Sequence, residues 1–166
     1  MSEIRFGIEY MQELESEASA TRNCLQSVPE SLYQWKPHEK SMNMGYLTLL
    51  VADIPKWIAG IVNVGVIDFA TYEHFQPKTT AELVAHFEEN LTAAKDALRK
   101  VTNEELEKDF ELRNNGHVLI RSTKKINVYS SINHMVHHRG QLTVYMRLND
   151  IPVPSIYGPS ADVKTF

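Results

Sequence analysis

Ser131–Asn149, SINHMVHHRGQLTVYMRLN, contains three of the chain's seven histidines, and two of them, His134 and His138, stand four residues apart. A run of this length without proline, with Ile132, Val136, Leu142, Val144, Tyr145, Met146 and Leu148 at helical intervals, predicts an α-helix that stops before Pro152 and Pro154. On a helix, residues i and i+4 share a face, so the two imidazoles stack about one turn apart. That spacing suits two ligands of one metal ion, and it equally suits two histidines hydrogen-bonding in or beside a core. Gly140 costs the helix about 1 kcal/mol relative to alanine. It predicts either a close backbone approach or compensating packing.

The rest of the chain supplies partners for this helix. Ile4, Ile8, Met11, Leu14, Ala18 and Leu25 recur at steps of three and four, while Glu13, Glu15, Glu17 and Arg22 fall mainly elsewhere, predicting a first amphipathic helix ended by Pro29. The segment Glu30–Met42 lacks a period and reads as a connection anchored by Trp35. A second helix starts at a cap on Ser41 or Asn43 and runs through Leu47, Leu50, Ile54, Trp57 and Ile61, with a bend expected at Pro55. The stretch beyond Asn63, to Lys78, reads as a surface linker.

Thr79 followed by Glu82 has capping-box spacing, and Leu83, Phe87, Leu91, Ala94, Leu98 and Val101 form the cleanest apolar stripe in the chain. His86 lies beside that stripe and reads as a partly buried or surface histidine rather than a ligand. In FELRNNGHVLIRS, residues 110–122, Asn114, Asn115 and Gly116 tolerate the positive φ angles of a tight turn and predict a small β-hairpin, with His117 exposed beside it. The last helix follows at Lys125. The closing DIPVPSIYGPSADVKTF is too short to fold alone and must lie against the helices or a second subunit.

Four long amphipathic segments with long connections predict an all-α four-helix bundle, with the possible small hairpin before the last helix, in one domain spanning 1–166. The 166 residues, 43% of them apolar, suffice for one core. Neither a signal-like N-terminus nor a run of about 18 apolar residues is visible, so a cytoplasmic, non-membrane protein is expected. The single cysteine, Cys24, excludes an intramolecular disulfide and reads as packing. A net charge of −4 without a basic block argues against nucleic acid as a partner.

Asn133–Asp162, beginning NHMVHHRGQL, and Lys36–Gly60, KPHEKSMNMGYLTLLVADIPKWIAG, resemble the DinB-like family of damage-inducible bacterial proteins. The resemblance implies an up-down-down-up four-helix bundle, often a homodimer, with a divalent metal, nickel or zinc, held by three histidines. Two of these fall on His134 and His138; the third comes from the second helix, where this chain has Leu50. Asp53, three residues along on nearly the same face, is the candidate substitute metal ligand or general base, and alternatively a direct hydrogen-bond partner of His134 or His138.

Members of the wider superfamily include thiol-dependent S-transferases and presumed metal hydrolases. The expected function is accordingly hydrolysis or thiol transfer on a small-molecule substrate or thiol, through a metal that lowers the pKa of a bound water or thiol. The alternative is a non-catalytic small-molecule-binding or dimeric scaffold protein that has lost the metal. His137 is rotated about 60° from the pair around the helix. Arg139 and Gln141 close the helix face with hydrogen bonds or take an anionic group, and Trp57 and Tyr145 are candidate pocket walls or core residues.

Overall fold

The computed structural model describes residues 4–73 and 75–165. The ends of the expected 1–166 domain, and His74 within the expected linker, lie outside these described residues. Four long helices carry the fold: α1 (Phe6–Gln26), α2 (Met44–Asn63), α3 (Thr80–Lys100) and, after a one-turn helix α4 (Asn103–Leu106), α5 (Lys124–Leu148). Helix α1 packs against α3 and α5, as does α2, so α1 and α2 face each other across the diagonal of a bundle.

The helix ends form where the side chains dictate. Asn43 caps α2 by accepting from Tyr46 N at 2.8 Å. At α3 both halves of the capping box close: Thr79 accepts from Glu82 N, and the Glu82 carboxylate accepts from Thr79 N. Such caps contribute about 1 kcal/mol each by satisfying amide groups that the helix leaves without partners. Helix α2 continues through Pro55 without a break. By length and composition it could cross a membrane, but its apolar residues are mostly packed inside the bundle, as in a water-soluble domain.

Leu14, Leu25, Met44, Leu47, Ile54, Phe87, Leu98 and Met135 are wholly or almost wholly buried in one core, and each such side chain contributes about 1.5–3 kcal/mol by leaving water. Gly7 permits the crossing of α1 and α3, because a Cβ there would lie 2.4 Å from the Leu98 carbonyl oxygen. Gly140 does not play that part. It faces open space, so the expected close approach is absent and the helix tolerates it through its other contacts.

The fold is mostly helical but not all-α, which corrects the expected class. The hairpin forms as read: β2 (Asp109–Asn114) pairs antiparallel with β3 (His117–Thr123), and Asn115 and Gly116 make its turn with φ of 50° and 79°. What the reading missed is β1 (Val66–Asp68), which adds to β2 in parallel and completes a three-stranded sheet, order β1–β2–β3. Residues 66–68 were expected to be linker, since three residues are too few to show a period. Asp68 fixes this strand to the hairpin by accepting from the Asn115 and Gly116 amides.

Trp35 anchors its connection, edge-on to Tyr145 at 5.5 Å. The tail is held against the bundle through Asp162, which pairs with Arg147, and through Tyr157. Glu17, expected on the solvent side of α1, is 5% exposed and pairs with the buried Arg139.

Candidate functional site

Leu50, Asp53 and Trp57 fall at steps of three and four on α2 and turn one face toward α5, which presents His134. Between them, a cleft of about 410 Å3 is walled by Tyr46, Leu49 and Leu50 on one side and by Phe69 from the segment after β1 on another, with Asp53, Trp57 and His134 completing it. Trp57 packs between the other two rings: its centroid lies 5.9 Å from that of His134 and 6.0 Å from that of Phe69.

The two helix-α5 histidines meet directly. His138 Nε2 is 2.7 Å from His134 Nε2, and His138 Nδ1 is 2.6 Å from Gln141 Oε1. The Gln141 oxygen can only accept, so a neutral His138 carries its proton on Nδ1, and its Nε2 accepts from the Nε2–H of His134. Burial holds both rings below the ordinary histidine pKa; the charges of neighbouring histidines add to this, while Gln141 works in the opposite sense on His138. His137 stands outside the pair and is exposed, although its ring lies edge-on to His138 at 5.0 Å.

Asp53, 3% exposed, is the second polar element. The expected hydrogen bond from Asp53 to His134 or His138 is not formed. Its Oδ1 is 2.7 Å from His86 Nε2, and its Oδ2 accepts from the Tyr72 hydroxyl at 2.9 Å. His86 is positioned by stacking on Phe75, with centroids 4.2 Å apart and the rings 13° from parallel. Burial, and then the charge and hydrogen bond of Asp53, raise the Tyr72 pKa strongly, so this hydroxyl remains a donor. The buried Trp57 indole N–H lowers that pKa slightly, although it does not reach hydrogen-bond geometry.

Reading the sequence missed His86 and Tyr72 as partners of Asp53. A signal for His86 existed: His86 and Asn90 stand at i and i+4, two polar residues on the edge of an otherwise apolar face, and Asn90 donates to the Ala52 carbonyl of α2. Tyr72 lies in an aperiodic stretch with no such signal. Of the two candidate pocket aromatics, Trp57 lines the cleft, whereas Tyr145 bonds the Met42 carbonyl near Trp35.

The donor set fits a metal poorly. Two imidazole nitrogens on one tetrahedral ion, each about 2.0–2.1 Å from it, stand about 3.3 Å apart, wider than the 2.7 Å separation here, and the shared proton must first leave. Leu50 brings no lone pair, and both Asp53 oxygens are engaged. Among the described residues, no three His, Cys, Asp or Glu side chains gather around a common point.

A helical bundle with a small sheet and a histidine pair opening on an inter-helix cleft defines the class. The chain belongs to the DinB family, whose model matches residues 1–164. The fold is similar to that of a DinB-like protein from Bacillus cereus ATCC 10987, with a TM-score of 0.70 at 22% identity over 89% of this chain and 95% of that one. A DinB-like protein from Bacillus subtilis gives a TM-score of 0.69 at 18% identity, over 88% of this chain and 96% of that one. A mycothiol-dependent maleylpyruvate isomerase is more distant, with a TM-score of 0.53 at 12% identity over 84% of this chain and 63% of the other. Comparison with curated proteins gave no match.

Proposed function

We propose that this DinB-family protein binds a small, largely apolar molecule in the α2–α5 cleft and does so without a three-histidine metal site. The observation that carries this reading is Leu50 beside a histidine pair already joined by its own hydrogen bond. An apolar wall facing two neutral imidazoles favours an uncharged ligand over a cation, because a desolvated ion there would lack counter-charge and coordination. Leu49, Leu50, Trp57 and Phe69 supply apolar surface, while His134 offers a polar contact that fixes orientation.

Metal-dependent hydrolysis or thiol transfer is the second reading, favoured by the convergence of the His134 and His138 Nε2 atoms and by the thiol-dependent neighbour of similar fold. Elemental analysis of untagged protein after incubation with zinc or nickel separates the two. The expected result is sub-stoichiometric metal in the wild type and near-stoichiometric metal in Leu50→His, lost again when His134→Ala is added. Stoichiometric metal in the wild type that disappears in His134→Ala overturns the metal-free reading. Hexanol serves as the binding probe, followed by calorimetry; Leu50→Trp, which fills the cleft, is expected to weaken it at least tenfold.

A further inference from the structure

The cleft has neighbours at both ends along α2. Toward the helix N-terminus it shares Tyr46 and Leu49 with a second cavity of about 410 Å3, whose other walls include the polar side chains of Gln34, Asn43 and Gln76. Toward the C-terminus it shares Trp57, Phe69 and His134 with a third cavity of about 350 Å3, between the sheet and α5, lined by Ile61, Ile67, Leu112 and Ile120 among others. The three abut in sequence along one face of one helix. From Tyr46 to Ile61 that face is about 22 Å long at 1.5 Å per residue.

Polarity is graded along this line. One end carries amide side chains, the middle carries His134 and Asp53, and the sheet end is mostly apolar, with Asn127, Ser130 and Ser131 on its α5 side. Among the described residues no lysine or arginine lines any of the three cavities, and the one acid that does, Asp53, has both oxygens occupied by His86 and Tyr72. A ligand with a carboxylate or phosphate head would find no counter-charge, and one with an ammonium head would find no open carboxylate oxygen.

Resting on the cleft-binding reading above, we infer that the natural ligand is an elongated, uncharged amphiphile, such as a long-chain alcohol, amide or ester. Its polar head lies at the Gln34–Asn43–Gln76 end, and its aliphatic tail passes Trp57 into the cavity between the sheet and α5. His134 and the Asp53–His86 pair then stand beside the middle of the ligand. Trp57 and Phe69, in contact at a centroid separation of 6.0 Å, form the shared surface over which the tail passes.

Calorimetric titration of the full chain with hexanol, dodecanol, dodecanoate and dodecyltrimethylammonium, all below their aggregation thresholds, tests this. Each methylene that enters an apolar cavity tightens binding about fourfold, so dodecanol is expected to bind at least tenfold more tightly than hexanol and more tightly than either charged chain. Ile120 is 49% exposed, so Ile120→Arg can be made without disturbing the core. That variant is expected to abolish the dodecanol advantage and leave hexanol unchanged. Equal binding of hexanol and dodecanol overturns the elongated ligand while leaving the cleft reading intact, and absence of binding by all four probes overturns both. Tighter binding of either charged chain overturns the uncharged head, and an unchanged dodecanol advantage in Ile120→Arg overturns the placement of the tail.

Discussion

Two buried carboxylates in this molecule are held in parallel ways, by nitrogen bases of different chemistry and in different places. Glu17 of α1 accepts from the Tyr157 hydroxyl at 2.9 Å and pairs with Arg139 Nη2 at 2.5 Å, an ion pair outside strict hydrogen-bond angles. Asp53 of α2 accepts from the Tyr72 hydroxyl and pairs with His86. In each case one tyrosine and one nitrogen base hold one acid. Arg139 is permanently charged and forked, and it reaches the Glu17 carbonyl, Thr21 and Tyr157 as well, so its cluster ties the tail to α1 and α5. His86 reaches Asp53 through one ring nitrogen, and Asp53 borders the α2–α5 cleft. The Arg139 cluster joins three segments of the chain and also meets a cavity of about 470 Å3 at Tyr157, whereas the Asp53 cluster lies beside the α2–α5 cleft.

The same contrast appears in the two tyrosines. Both hydroxyls are raised above the ordinary tyrosine value, chiefly by desolvation and then by the adjacent carboxylate; Arg139 offsets part of this at Tyr157 and the Trp57 N–H part of it at Tyr72, where the rise is much larger.

The comparison breaks first at Arg139. Arg139→Met leaves Glu17 buried without its cation and is expected to destabilise the fold by about 3–5 kcal/mol in urea unfolding; a loss below about 1 kcal/mol would mean that the Arg139 cluster is not structural. Asp53→Ala leaves His86 and Tyr72 without their acceptor and is expected to cost less, about 1–3 kcal/mol. If it proved more damaging than Arg139→Met, the division between a structural cluster and a cleft-side one would fail.

The smallest effect sharpens the contrast through pH. A hydroxyl whose folded pKa lies above its unfolded value of 10.0 adds stability that is fully present below pH 10 and is lost as pH rises through the folded value. Tyr157, with the smaller rise, is expected to ionise before Tyr72 in an ultraviolet titration, and difference spectra against Tyr157→Phe and Tyr72→Phe assign the two. Removing the Tyr157 hydroxyl is expected to cost about 1 kcal/mol. Tyr72 ionising first would reverse the role given to Arg139. A further check concerns Cys24: burial raises its thiol to about 11, so alkylation of the native protein at pH 8 is expected to be slow and to accelerate on unfolding.

The elements legible in advance share one property: their signals are local. The stripes of α1, α2, α3 and α5, the Asn43 and Thr79 caps, the Asn115–Gly116 turn and the His134–His138 spacing all involve residues within a few positions of each other, where chain geometry alone brings side chains together. Leu50 in the expected ligand's place was equally visible. The sequence by itself therefore determined a helical bundle with a hairpin and a histidine pair on α5. Only the tertiary structure decided that Asp53 turns from that pair to His86, 33 residues away, and to Tyr72, 19 residues away, that Glu17 faces inward to Arg139, and that β1 joins the sheet. Such pairings depend on how whole elements pack, and no periodicity along the chain encodes which of several polar groups on neighbouring faces will meet.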